Sequence, residues 1–130
     1  MEDLLSLWAK LGNAEYSGRH PLVCHLLDVG MVARQLWKKV LRDGSKKRIA
    51  EILGLEQEAA GRWVAFWAGA HDIGKAAPCF QSPPGSTRQN YPDARAAQEA
   101  AGFDFPDLPD PPPHGTISTA VLNRVLTGPE

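Results

Sequence analysis

Leu22, Leu26, Val29, Ala33, Leu36 and Val40 recur at alternating steps of four and three, the spacing of one apolar helix face. The segment HPLVCHLLDVGMVARQLWKKVLRD therefore predicts the long helix of the chain, with Pro21 tolerated in its first turn. Leu4, Leu5, Trp8 and Leu11 follow the same period in MEDLLSLWAKLG, which predicts a short amphipathic helix ending at Gly12. SKKRIAEILGL reads as a third helix, capped by Ser45 and closed by Gly54. In EQEAAGRWVAFWAGAHDIGK the acids come first, where the helix dipole favours them. Ala60, Trp63, Val64, Trp67 and Ala68 then form a broad apolar face, so a buried helix is predicted.

The pattern breaks between Ser82 and Pro113. SPPGSTRQNYP and FDFPDLPDPPP are too rich in proline for a helix or sheet interior, and they frame a helix-capable piece, DARAAQEAAG. Two surface loops around a short helix are expected, and a connection of this length marks a function or a variable insertion. HGTISTAVLNRVLTG follows three prolines and carries Ile117, Val121, Leu122 and Val125 on one face, so the last helix should begin near His114. No period-two alternation and no internal repeat stands out. The fold class predicted is all-α, a compact helical bundle.

A chain of 130 residues amounts to one domain that buries roughly two thirds of its unfolded surface. It opens with acids, and no apolar run approaches the roughly eighteen residues a membrane span needs. A cytoplasmic protein with no membrane partner is expected. Cys24 and Cys79 are too few for a disulfide framework and read as small packing residues. The formal net charge of −1 argues against gripping a nucleic-acid backbone through basicity alone. The exception is KKVLRDGSKKR, with six cations between Lys38 and Arg48, read as a solvated helix end or as a nucleic-acid or partner contact.

Chemistry concentrates in the histidines. His25 lies near the apolar face of the long helix, His71 closes the buried helix beside Asp72, and His114 opens the last helix. Neutral imidazoles and a carboxylate are donors suited to a borderline divalent metal, and separate helices can bring them together in a bundle core. Hydrogen-bonded core histidines fit the same residues. His71 and Asp72 cannot share a face of a continuous helix, so the helix must end there, and Gly74 offers backbone freedom two residues on. Asp72 has two oxygens and can reach two ions. Lys75 is a cation suited to a phosphate oxygen or to solvent, and Asp28 is a neighbour of the site or a solvated position.

HDIGKAAPCFQ, preceded by HPLVCHLLDV and followed by HGTIS, resembles the HD superfamily of metal-dependent phosphohydrolases. More narrowly, it resembles the HD nuclease domain of the CRISPR-associated nuclease-helicase of type I systems. The tail AAPCFQ is the narrower signature, and the likeness runs from Tyr16 to about Leu126 with 82–113 as a variable loop. It implies that His25, His71 and Asp72 hold a first divalent metal, and that Asp72 reaches a second ion to which His114 belongs. It places Lys75 near the scissile phosphate, and Ser118 lining the same pocket. Mn, Fe, Co or Ni come ahead of Mg for such donors.

The resemblance implies cleavage of single-stranded DNA in antiviral defence, with a helicase portion and a type I effector complex as partners. A further pair of histidines and a later aspartate belong to the family pattern and are not found before Glu130, nor is any GxxxxGK[ST] motor motif. Residues 1–130 are therefore expected to be the N-terminal part of one HD domain, incomplete at its C-terminus and without a helicase domain. Exposed apolar faces and self-association would follow, as would weak or absent turnover. Two other readings remain: an HD-type nucleotide or cyclic-nucleotide phosphohydrolase, and a non-catalytic fragment that associates with a CRISPR effector.

Overall fold

The computed structural model describes residues 2–13, 16–81, 92–103 and 112–128. Helices dominate: α1 (Glu2–Ser6), α2 (Leu22–Lys39), α3 (Asp43–Leu53), α4 (Gln57–Ala70), α5 (Pro78–Gln81), α6 (Pro92–Ala100) and α7 (His114–Thr127), with a 3₁₀ turn at Ile73–Ala76. The one sheet among the described residues is an antiparallel ribbon of β1 (Trp8–Asn13) and β2 (Tyr16–Pro21). The expected all-α class holds, and the ribbon is its local departure. The chain divides into two compact units, one of Met1–His25 with His71–Glu130, the other of Leu26–Ala70.

In the first unit, the predicted helix over MEDLLSLWAKLG stops at Ser6 and the chain becomes a strand. Both backbone groups of Trp8 are bonded to the Gln81 side chain, and the Leu22 N–H donates to the Leu7 carbonyl at 2.8 Å. These bonds replace the i to i−4 ladder that a longer helix would need. The register, Trp8 opposite Pro21 and Lys10 opposite His20, shifts around Ala9. Such a bulge lets the consecutive Trp8 and Ala9 both point inward. Pro21 ends β2 rather than sitting inside α2. Leu7, Trp8, Leu22, Cys79 and Ala94 are buried here, each large side chain stabilising the fold by about 2–3 kcal/mol.

In the second unit, α2, α3 and α4 pack around Trp37, Ala50 and Ala60, with Leu41, Ile49 and Val64 against them. A Cβ on Gly69 would fall 2.9 Å from the Leu26 carbonyl oxygen, so the end of α4 lies backbone to backbone against the start of α2. That approach carries the chain directly into His71 on one side and His25 on the other. Gly54 closes α3 as expected, with φ 64°, but α3 begins at Asp43 after Arg42, and Ser45 does not cap it. The basic cluster spans the α2–α3 turn, where Lys46 pairs with Asp43 at 3.0 Å.

Two expectations of burial are corrected. Leu36 and Val40, the last members of the long-helix stripe, are 51% and 69% exposed, because α3 and α4 cover the Trp37 side instead. Trp63 and Phe66 are exposed on α4 as well, so that helix is buried only along Ala60, Gly61 and Gly69. The expected short helix is α6, and α7 begins at His114 as anticipated. Of the proline-rich loops expected over SPPGSTRQNYP and FDFPDLPDPPP, residues 82–91 and 104–111 lie outside the described residues.

Candidate metal centre

The Asp72 carboxylate is the hub of the first unit. It is buried, just beyond the end of α4 and before the 3₁₀ turn. Oδ2 lies 3.0 Å from His25 Nε2, 3.2 Å from His71 Nε2 and 2.7 Å from Lys75 Nζ, and Oδ1 lies 3.3 Å from His114 Nε2. Four side chains, from α2, the turn after α4, the 3₁₀ turn and α7, thus direct a donor or a cation at one carboxylate. The His25 and Lys75 side chains are enclosed, at 14% and 11% exposure, whereas those of His71 and His114 are about half exposed, at 51% and 43%. The open side of the centre is therefore the His71 and His114 side.

Burial is the largest influence on the Asp72 carboxyl and works to raise its pKa. Hydrogen bonds from Lys75 and His25, with the charges of Lys75 and His71, outweigh it and hold the carboxyl below the ordinary aspartate range. The group is thus an anion at neutral pH, as a metal ligand must be.

The 3₁₀ turn places Lys75. Its N–H donates to the Asp72 carbonyl at 2.9 Å, so the side chain folds back onto the carboxylate three residues earlier. Gly74 makes room for α7: a Cβ there would lie 2.2 Å from the His114 carbonyl oxygen and 2.5 Å from the Ser118 nitrogen. Its φ is not positive, so the expected role as a point of backbone freedom gives way to one of close approach. The Gly74 N–H donates to Ser118 Oγ at 2.8 Å. Ser118 is buried and ties α7 to the turn, and this brings His114 onto Asp72.

The donor set fits a divalent ion. One ligand atom each from His25, His71 and Asp72 lies within 4.8 Å of the others. Bonds of roughly 2.0–2.2 Å from an ion to nitrogen and oxygen place neighbouring ligands about 3 Å apart, close to the separations at Asp72.

Of the residues singled out in the sequence, the structure gathers His25, His71, Asp72, Lys75 and His114 around one carboxylate. Ser118 is buried against the 3₁₀ turn, its Oγ accepting from the Gly74 N–H, and Asp28 is exposed on α2. Three neighbours went unread. Phe80 packs edge-to-face on His114 at 5.7 Å between ring centroids, with the Lys75 ammonium 5.6 Å from its ring. His20 meets His25 edge-to-face at 5.9 Å. Gln81 is wholly buried among β1, the 3₁₀ turn and α6. The signal for Gln81 was a lone amide closing the short apolar stretch PCFQ.

A helical domain in which a His–Asp pair collects further imidazoles from separate elements has the architecture of the HD class. The family model described as the Cas3 HD domain matches residues 8–129, and the chain belongs to that family of CRISPR-associated nucleases. It is 34% identical over 125 residues to the CRISPR-associated endonuclease/helicase Cas3 of Thermus thermophilus, a match covering 96% of this chain and 12% of that protein. It is 36% identical over 88 residues to the CRISPR-associated nuclease/helicase Cas3 of Streptococcus thermophilus, covering 64% of this chain and 10% of the relative. A crystal structure described as a CRISPR-associated protein superposes with a TM-score of 0.82 at 44% identity, over 95% of this chain and 13% of that one. T. fusca Cas3 gives a TM-score of 0.56 at 29% identity, over 88% and 14%. The chain spans about an eighth of the length of these relatives.

Proposed function

We propose that this chain contributes the metal-binding half of a phosphodiesterase site that cleaves single-stranded DNA in CRISPR antiviral defence. The observation that carries the reading is the convergence of His25, His71, His114 and Lys75 on the Asp72 carboxylate. In this reading His25, His71 and Asp72 hold one divalent ion, with Mn, Fe, Co or Ni ahead of Mg, and His114 with the second Asp72 oxygen forms part of a site for another. Such an ion, when bound, supplies Lewis-acid activation of water and neutralises charge gathering on phosphorus.

The chain's own groups do the remaining work. Asp72 fixes the orientation of the imidazoles and holds the Lys75 ammonium at 2.7 Å in an enclosed place. Lys75 offers that charge to a non-bridging phosphate oxygen, where it is worth more than in water. The half-exposed His71 and His114 leave the site open to an extended polyanion. In the reaction a water oxygen joins phosphorus, one ester P–O bond breaks, and the departing sugar oxygen takes up a proton. This site also explains how a chain of net charge −1 handles a polyanion, since the cationic charge is local.

A helicase portion and the effector complex belong to the same reading. Support comes from the names of the Cas3 relatives and from apolar side chains left exposed on α2, Met31, Val32, Leu36 and Val40, and on α7, Val125 and Leu126.

The test is cleavage of circular single-stranded DNA by the full chain with each of the five metals, beside His71→Ala and Asp72→Ala. Cleavage should be metal-dependent and fall at least about a hundredfold in both variants. Equal cleavage by all three proteins removes the proposal.

A further inference from the structure

Gln81 and Gln98 are both at 0% exposure. The Gln81 Nε2 donates to the Lys75 carbonyl at 2.6 Å and to the Trp8 carbonyl at 2.8 Å. Its Oε1 accepts from the Trp8 N–H at 3.1 Å and from Gln98 Nε2 at 2.6 Å. A primary amide has two donor hydrogens and two acceptor lone pairs, so its whole capacity is used. Three elements, β1, the 3₁₀ turn and α6, therefore meet on one side chain.

One of these bonds concerns the metal centre. The Lys75 backbone is held at both ends, its N–H on the Asp72 carbonyl and its carbonyl on Gln81. A four-carbon lysine stem is flexible, and its reach is set by where its backbone is fixed. We propose that Gln81 is a positioning residue for the Lys75 ammonium. By anchoring the Lys75 carbonyl to β1, it holds Nζ at 2.7 Å from Asp72 Oδ2. The consequence for catalysis rests on the phosphodiesterase reading; the placement of the ammonium does not.

The chemistry explains why an amide stands here. Ionised glutamate would turn both donors into acceptors facing two carbonyl oxygens. Methionine keeps the length but makes none of the four bonds. Asparagine is one methylene too short to reach Lys75 and Trp8 together. Gln98 acts at one remove, since it touches Gln81 Oε1 and fixes which way the amide faces.

The experiment compares wild type, Gln81→Met, Lys75→Ala and the double variant as full chains. The first readout is the lysine ammonium NMR signal of the metal-free protein, with the Lys75 resonance assigned by Lys75→Arg. Gln81→Met should displace or broaden that signal and leave the other lysines where they were. The second readout is single-turnover cleavage of single-stranded DNA with Mn. Each single variant should lose roughly ten- to a hundredfold, and the double variant should be no slower than Lys75→Ala alone. Losses that multiply, or a Lys75 signal unmoved in Gln81→Met, overturn the proposal. If Gln81→Met does not fold, Gln98→Met takes its place, with a smaller displacement expected and an unmoved signal again decisive. If wild type does not cleave, as an incomplete domain would not, the ammonium signal alone decides whether Gln81 positions Lys75.

Discussion

Asp72 stays ionised although almost wholly enclosed, because Lys75 and His25 meet it directly and His71 adds charge beside it. Its carboxyl is held below the ordinary value of about 3.9, so its contribution to stability is complete above that value and is lost as pH falls through the lower native one. Asp72→Asn leaves the enclosed Lys75 without its anion and should cost about 3 kcal/mol at neutral pH without metal. That difference should narrow only below about pH 4, as wild type takes up the proton the variant cannot. Denaturant titrations across pH check this, and a difference independent of pH contradicts it. Among single residues, His71, Asp72 and Lys75 were legible because a polar triplet ending an apolar helix needs partners. Gln81 was not: its role depends on the Trp8 backbone 73 positions away, which no local pattern reports.

Among elements, the helices with strong periodicity and clear ends were the legible ones. The left-handed Gly54 stops α3 and the prolines before His114 start α7. β1 carries a helical signature in the sequence because Leu4, Leu5, Trp8 and Leu11 keep a helical period, while the bulge near Ala9 erases the alternation that marks a strand. Leu36 and Val40 show a second limit: periodicity says that a face is apolar, and only packing says what covers it. Gly74 joins two elements, since α7 rests directly on the 3₁₀ turn. Gly74→Ala should push α7 and His114 away from Asp72 and destabilise the chain by about 3 kcal/mol or more. Gly115→Ala, where a Cβ would meet nothing within 4 Å, should be neutral or stabilise the helix by up to about 1 kcal/mol. Thermal melts of the two variants test this, and equal losses would mean that the close approach of the turn and α7 does not constrain the fold.

At the scale of the whole molecule, His25 and His71 stand at the two ends of the stretch Leu26–Ala70, which forms a compact unit of its own. An ion shared by these histidines and Asp72 would tie the ends of that stretch together in the folded chain, where alone the site exists. Binding to the native state alone adds RT ln(1 + [M]/Kd), roughly 2.7 kcal/mol at a hundredfold excess over Kd, read as a rise in Tm on the order of 10 °C. Proton and metal compete for the same imidazole nitrogens, so the gain should shrink as pH is lowered and protons should be released on binding. Chelation should return the melt to its metal-free position, and His25→Ala or His71→Ala should remove most of the rise while His20→Ala retains it. Calorimetric titration with Mn, Co and Ni, followed by melts of the same samples, measures both quantities. A Tm unchanged by millimolar amounts of every one of these ions would leave the His–Asp cluster as a hydrogen-bonded core and take the metal-dependent reading down with it.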